Sequence, residues 1–421
     1  MNLLSLLAGL TKRDPHAIIA IDADPAQPVH VSRSELWRRT LQLRADLATA
    51  GVGRGDGVAL WLPNWSDVLV WHIATASLGA YAVGLGAATP AADVARVVEQ
   101  VRPRVVAAAH DARGLDLAGR LREVVTGSEG LDVIPAVAVV AGPHGKPPID
   151  PSPWDIGGGA WLPSATTAGM PMPRTTGDEP AVAFEPALGV HRESVLVAHA
   201  TGTARALGVR ENDLLLCTQP VTGPLGLGFA LAAVAGEGTC LLDPALDETT
   251  LLGDLARFEA THLATDEQTA TRLAETCHDH PCTLPALRWV GVANAATPDA
   301  AGRAEKELGV PASAFYAPGE VLAPAALWPS EHATPARWHS GGLPVEPGLE
   351  VRVVDPLSNT PMPAGEQGML QLRGPGVPEQ RLGKAGEPPV TGDGWFSTGD
   401  LAIRTTEGEL RYLGPAHRPA G

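Results

Sequence analysis

The densest group of potential metal ligands in the sequence is the run CHDHPC, from Cys277 to Cys282. Zn²⁺ favours Cys and His ligands, but structural zinc sites usually draw them from separated pairs, such as C-x₂₋₄-C with H-x₃₋₅-H. Six consecutive residues cannot easily surround one tetrahedral ion. We therefore predict no metal site in this chain.

Other chemically suggestive residues are explained as well by ordinary structure. The pair Gly202-Thr203 is too short for a phosphate loop, has no lysine beside it, and is predicted to lie in a helix. His72, His191 and His199 could act as bases, although a single histidine on a helix face is usually packed or solvated. The segment Gly226–Phe229 lacks the spacing of a dinucleotide fingerprint, and the chain contains no G-x-S-x-G nucleophile motif.

Composition narrows the class of protein. The chain has 421 residues, 44% of them apolar, and a formal net charge of −16, which predicts a well-packed protein that does not bind nucleic acid non-specifically. The sequence has no apolar run of the ~18–20 residues that span a bilayer, so we expect no membrane association. Its four cysteines are too few for a disulfide framework. We expect a cytoplasmic protein.

The elements that must position any site follow an α/β rhythm. Helical spacing of leucines from Ser32 to Ala50, with Glu35 three residues after Ser32, predicts a capped helix. Alternating strands and helices predict a first α/β unit over 1–180, ending in a Pro/Gly-rich loop at 141–180, and a second over 181–340. Short alternating runs predict a β unit over 341–414, leaving 415–421 as a residual hinge.

Three segments of the β unit carry a family resemblance: SGGLPVEPGLEVRVVDP, PAGEQGMLQLRGPGV and DGWFSTGDLAIRTTEGELRYLG. In this order they resemble the adenylate-forming enzymes, which are the AMP-dependent synthetases and ligases and include acyl-CoA synthetases, adenylation domains and luciferases. The resemblance implies an α/β fold with two α/β sheet subdomains and a distorted β-barrel. We expect the family's C-terminal lid domain, with its catalytic lysine, to be absent.

The resemblance also implies site residues for ATP and Mg²⁺. Asp400, beside Thr398 in the Ser-Thr-Gly-Asp segment, corresponds to the aspartate that accepts bonds from the ribose hydroxyls. Tyr316 would stack on adenine and Glu320 would hold Mg²⁺. A turn aspartate and a core tyrosine are the alternative interpretations of Asp400 and Tyr316.

Several positions depart from the family pattern. Ala317 and Gly319 replace a Gly and a phosphate-binding Thr, Ala293-Asn294 replace a Gly-Gly pair, and Gly223 lies in the segment that has lost an aromatic gate. We take these five residues as candidates for lining the pocket.

The largest departure concerns the phosphate loop. Between a strand ending at Phe184 and a helix predicted to begin at His191, the chain has only six residues, 185–190, about nine fewer than a normal phosphate loop. Glu185 would add a negative charge near the phosphates. The hinge arginine is replaced by Pro415.

We therefore expect a degenerate homologue that does not use ATP by itself. It would bind a small carboxylate or acyl ligand, a carrier protein or a partner enzyme in a specialised-metabolite pathway. Two alternatives remain: an active ligase whose lid is supplied in trans, and a repurposed enzyme performing acyl transfer, condensation or cyclisation. No catalytic residue and no certain cofactor can be named from the sequence.

Overall fold

The computed structural model describes residues 1–24, 27–110, 112, 116–127, 133–164, 175–244, 248–383 and 389–416. The α-helices of these segments are α1 Leu3–Arg13, α2 Arg33–Thr49, α3 Ser66–Ala76, α4 Ala91–Val101, α5 Leu117–Gly127, α6 Glu193–Leu207, α7 Pro224–Ala235, α8 Glu248–Arg257, α9 Glu267–Asp279 and α10 Asp299–Leu308. The strands are β1 Ile18–Asp22, β2 Val29–Ser32, β3 Gly57–Trp61, β4 Tyr81–Leu85, β5 Val105–His110, β6 Ala136–Ala141, β7 Ala160–Trp161, β8 Pro180–Phe184, β9 Gly189–Arg192, β10 Leu214–Cys217, β11 Thr239–Leu242, β12 His262–Asp266, β13 Trp289–Ala293, β14 Ala312–Phe315, β15 Ala326–Leu327, β16 Gly341–Pro344, β17 Glu350–Val354, β18 Gln367–Arg373, β19 Gln380–Arg381, β20 Phe396–Arg404 and β21 Leu410–Pro415.

The smaller sheet has the strand order β19-β9-β8-β4-β3-β5-β6-β7. Its strands from β8 to β7 run parallel, whereas β9 and β19 are antiparallel additions at one edge. Every residue of β3 and β4 is buried, as expected for parallel strands covered by helices on both faces. This sheet confirms the α/β fold class.

The larger sheet has the order β17-β18-β20-β21-β16-β14-β13-β12-β10-β11-β1-β2, with β15 paired to β16. Its centre, from β14 to β1, is parallel. β16 joins β14 in parallel, and β21, β20, β18 and β17 extend the sheet from β16 with antiparallel pairing. Among the described residues this path stays open, so the expected barrel is instead an extension of the larger sheet. The cause is the pairing of β14 with β16 and of β16 with β21, which joins the β unit to the parallel strands.

Strand pairing also crosses the boundary expected at residue 180. β1 and β2 belong to the larger sheet, because Ala20 pairs with Cys240. β8, which begins at Pro180, and β9, which follows it, belong to the smaller sheet. Of the loop expected at 141–180, residues 165–174 lie outside the described residues, and so do 417–421 of the expected hinge.

Local predictions agree with the structure where a short-range signal exists. The predicted capped helix is α2, and the Ser32 Oγ accepts a hydrogen bond from the Glu35 backbone N–H at 3.1 Å. The helix predicted to begin at His191 begins two residues later, at Glu193, because His191 is part of β9. Among the helices described, none combines the length and the apolar character needed to cross a membrane.

Candidate functional site

The predicted ribose and adenine residues lie together, but they bind each other. Tyr316 follows β14 directly and is fully buried, and its hydroxyl donates a hydrogen bond to Asp400 Oδ2 at 2.5 Å. The ring of Tyr412 lies 5.3 Å from that of Tyr316 between centroids. Burial raises the pKa of the Tyr316 hydroxyl well above its usual range, so this group stays protonated. The tyrosine packs in the protein core and offers no exposed face for stacking on a base.

Asp400 lies within β20 and is held in place by its own strand. Its backbone N–H donates to Thr398 Oγ1 at 3.1 Å, and that hydroxyl donates to the Leu370 carbonyl at 3.1 Å. Burial raises the pKa of Asp400, and the hydrogen bond from Tyr316 partly opposes the rise. One of the two carboxylate oxygens that could grip a diol is therefore already engaged.

Glu320, predicted to hold Mg²⁺, is neutralised by an arginine. Arg381, on β19, places Nε 3.0 Å and Nη2 2.6 Å from Glu320 Oε2. The Glu320 carbonyl accepts from His191 Nε2 at 3.2 Å. A guanidinium at the carboxylate competes with a divalent cation by charge. Across the described residues, no three His, Cys, Asp or Glu side chains come together as a metal-binding group. These residues do not fit a Mg²⁺ site.

The segment in place of the phosphate loop is a tight hairpin. β8 and β9 pair directly, and the Leu188 N–H donates to the Phe184 carbonyl at 2.8 Å. Pro186, which follows a cis peptide bond, has no N–H to offer. Glu185 forms an ion pair of 2.8 Å with Arg96 on α4. The turn thus lacks the row of free amides that would cradle phosphates, and its carboxylate already has a cation.

The first turn of α6 also disfavours an anion. Glu193 is the first residue of this helix, is 1% exposed, and accepts a hydrogen bond from the Leu3 N–H at 2.9 Å. Burial raises its pKa to about 7. A buried carboxyl group thus lies at the N-terminus of this helix, the end of a helix at which anions are otherwise favoured.

Most of the five candidate pocket residues take part in local hydrogen bonds or begin or end an element of secondary structure. Asn294 Nδ2 donates to the Ala317 carbonyl at 2.7 Å, and the Ala317 N–H donates to Asn294 Oδ1 at 2.8 Å. Gly223 is the N-cap of α7, and Ala293 ends β13. Gly319 faces open space, since a Cβ added there would have no atom within 4 Å. None of these five residues lines the large cavity described next.

A cavity of about 830 Å³ lies where the carboxyl ends of the two sheets meet. Its walls come from the segments that follow β1, β3, β4, β5, β6, β10 and β11, including Trp65, Gly86, Ala87, Gly142 and Pro220. Ligands of open parallel sheets bind at this edge. That rule, applied to the strands predicted from sequence, could have located the cavity, which the motif comparison missed.

One wall of this cavity is fixed by a buried carboxylate. Asp22, at the end of β1, accepts hydrogen bonds from the Ser66 N–H at 2.6 Å and from Ser66 Oγ at 2.7 Å. It therefore caps α3 and ties the larger sheet to a helix of the smaller one. Burial raises the pKa of Asp22 to about 6.

The remaining residues considered from the sequence lie in a disulfide, in the buried core or within a helix. Cys277 and Cys282 form a disulfide at the end of α9, a pairing that was not expected from the cysteine count. His72, His191 and His199 are buried, which lowers their pKa values to about 4, 3 and 4, so they are neutral at pH 7. As predicted, Gly202 and Thr203 lie in a helix, α6.

Comparison with known proteins gives consistent results. The sequence model of the "AMP-binding enzyme" family matches residues 10–156 and 189–379. A chalcone synthase of Aspergillus candidus is 25% identical over 91% of this chain, which spans 14% of that protein's length. A 4-coumarate–CoA ligase-like protein of Oryza sativa is 27% identical over 97% of this chain and 74% of its own.

A solved structure shares the fold. The ATP-bound MatB of Rhodopseudomonas palustris matches 99% of this chain and 79% of its own, with a TM-score of 0.81 and 20% identity. At that identity the likeness concerns the fold alone.

Proposed function

The chain belongs to the AMP-binding enzyme family, and on that premise we propose that it is a degenerate member that does not activate carboxylates with ATP by itself. In this proposal it binds a carboxylate or acyl ligand, or a carrier protein or partner enzyme, in a specialised-metabolite pathway. The observation that carries the proposal is the hairpin between Phe184 and Gly189, with its Glu185–Arg96 ion pair.

Adenylation needs donors directed at the phosphates as negative charge builds during attack. At the hairpin, the Leu188 N–H donates to the Phe184 carbonyl, and Pro186 has no N–H to donate. The side chain of Glu185 is a carboxylate paired with Arg96 and offers no donor to a phosphate. A triphosphate placed within about 5 Å of that carboxylate would meet repulsion on the order of a few kcal/mol. The loss lies in the charge and the backbone of the turn, so one substitution would not restore it.

The two retained carboxylates support the same conclusion. Asp400 is bound by Tyr316, and Glu320 is bound by Arg381. Opening either pair to admit a nucleotide would break a charge-assisted or partly buried hydrogen bond, at about 1–3 kcal/mol each.

The ligand-binding half of the proposal is supported by the cavity of about 830 Å³. Small-molecule sites typically have about 300–1,000 Å³ and mainly apolar walls. The walls include Trp65, Ala87 and Pro220, which suit a planar apolar body. The plant relative's name makes 4-coumarate a reasonable first probe.

Two assays test the proposal. We expect no ATP–pyrophosphate exchange with 4-coumarate, benzoate or L-aspartate, and no thermal shift with Mg²⁺–ATP or AMP. Exchange above background by the purified chain would overturn the loss of ATP chemistry. If nucleotide does bind, Asp400→Asn should abolish binding at a ribose site and leave non-specific binding unchanged.

The ligand-binding half has its own test. We expect 4-coumarate to bind saturably to the wild type and to lose affinity at least about tenfold in Ala87→Trp, which fills the cavity. Ala256→Trp, at an exposed position of α8 that does not line the cavity, is the matched control. Equal affinity in the wild type and Ala87→Trp would remove this cavity from the proposal.

A ligase completed in trans is the second candidate, because Asp400 and Glu320 are retained in sequence. It requires nucleotide binding by this chain. Calorimetry with a non-hydrolysable acyl-adenylate analogue separates the two: measurable heat supports the ligase, and its absence supports the degenerate homologue.

A further inference from the structure

A second cavity, of about 510 Å³, lies beside α6, and the buried His199 of that helix does not line it. Its wall on α6 comes from residues 194, 195, 197, 198, 201, 202 and 205, a spacing that places them along one side of the helix. His199 points elsewhere, since its Nε2 bonds the Pro324 carbonyl at 2.9 Å. The other wall comes from residues 1, 346, 347 and 375. Its lining shares no residue with the larger cavity and none with the nucleotide-site candidates.

The unusual group in this cavity is Glu346. Glu346 is 3% exposed, and its Oε2 atom has no hydrogen-bond partner within the described part of the chain. A buried polar atom without a partner costs about 1–3 kcal/mol, and proteins rarely retain one without a use. Burial alone raises the pKa of Glu346 to about 8. At neutral pH the group is therefore mostly a neutral acid, with one O–H to donate.

Two glycines create the room for this carboxyl group. A Cβ on Gly376, whose φ is +83°, would lie 2.8 Å from Glu346 Oε2. A Cβ on Gly202 would lie 2.4 Å from the Val345 carbonyl oxygen, so a glycine in the middle of α6 lets residues 345–347 approach the helix. Glycine inside a helix costs roughly 1 kcal/mol relative to alanine. The backbone is thus arranged around a buried carboxyl group that has an unpaired oxygen.

The charge and polarity around the cavity select one class of ligand. Arg205, the exposed cation of this helix face, lines the cavity together with Glu346. A protonated carboxyl donates one hydrogen bond and a guanidinium donates several, so the complementary group is an anionic acceptor of small size. The remaining walls include Val195, Val197 and Pro375, which suit an apolar body.

We propose that this cavity is a binding site for a small monocarboxylate with an apolar body. Its carboxylate accepts a hydrogen bond from the Glu346 carboxyl and pairs with Arg205, and its body lies against the valines of α6. This site does not depend on the proposed function, because it uses neither the large cavity nor the vestigial nucleotide residues.

The test is a ¹⁹F NMR titration of the full chain with 4-fluorobenzoate. We expect saturable binding by the wild type, a loss of about tenfold or more in Glu346→Leu, and a loss of about fivefold or more in Arg205→Gln. Glu346→Gln should bind within about threefold of the wild type, because the amide still donates. The control Arg210→Gln, an exposed arginine outside the cavity, should bind as the wild type does.

Three results would overturn the proposal. The first is no saturable binding by the wild type, and the second is unchanged binding by both Glu346→Leu and Arg205→Gln. If that unchanged binding were lost in Ala87→Trp, the ligand would occupy the large cavity, which would refute this site and support the proposed function. The third is preference for 4-fluorobenzylamine, since a cationic ligand contradicts the anion-selective reasoning. Arg205 is exposed, so its variant keeps the test decisive if Glu346→Leu does not fold.

Discussion

Replacing Glu346 by Gln should make the stability of the protein less dependent on pH. Burial raises the pKa of the native carboxyl from 4.5 to about 8. Between those values the folded state holds a proton that the unfolded state releases, so rising pH favours unfolding. The stabilising contribution is complete below pH 4.5 and is lost as pH rises through about 8. Glutamine does not titrate, so the variant lacks this term.

The size of the effect follows from the same two values. Between pH 5 and pH 8 the linkage amounts to about 3 kcal/mol of unfolding free energy, at 1.36 kcal/mol per pKa unit. Arg205 is the charged side chain that lines the same cavity; it is exposed, so it should reduce the term little. The wild type should therefore lose about 3 kcal/mol more than Glu346→Gln over this interval.

The assay is urea unfolding followed by tryptophan fluorescence at pH 5, 6, 7 and 8. Glu366→Gln, which changes an exposed carboxylate, serves as the control and should retain the wild-type slope. Parallel pH profiles for the wild type and Glu346→Gln would refute the reasoning, because they would mean that the carboxyl reaches solvent or a partner in the folded state.

Three further predictions concern the core and the cysteines. Tyr316→Phe should lower the unfolding free energy by about 1–3 kcal/mol, measured by urea titration, because Asp400 loses its donor; an unchanged midpoint would show that the bond is absent in solution. Gly84→Ala should cost about 3 kcal/mol or more in the same titration, since its Cβ would lie 1.7 Å from the Thr222 carbonyl oxygen, whereas Gly253→Ala, in open space on a helix, should be neutral or stabilising. Mass spectrometry after alkylation in denaturant should find two modified thiols before reduction and four after it, because two of the four cysteines form a disulfide; four adducts without reduction would contradict that pairing.

Much of the fold could be predicted because its signals are local. The start of α2 is indicated by a capping pair, Ser32 and Glu35. The strands β3 and β10 are each indicated by a short apolar run. The assignment of strands to sheets could not be predicted in this way. β1 pairs with β11, more than 200 residues later, and nothing in either strand's own sequence specifies that partner.

In the candidate site too, only the features with a local sequence signal could be predicted. Sequence motifs identify Tyr316, Glu320 and Asp400 as candidates, but they do not predict which side chains bind to these three residues in the folded protein. Arg381 meets Glu320 across 61 positions from a two-residue strand without periodicity. Glu346 could not be identified from the sequence, because glutamate is usually exposed and the burial of this one depends on the close approach of residues 345–347 to α6.

The strand β9 pairs with β19, which the ribosome synthesises almost 200 residues later. β9 would form one edge of the smaller sheet, and residues 380–381 cover it by bonding to residues 189–190. An uncovered edge is a template for joining another chain. While the ribosome is still producing residues 200–379, that edge has no cover from its own molecule. Chains interrupted in this interval should therefore be prone to self-association, and expression of fragments ending before residue 380 should yield aggregates that longer fragments avoid.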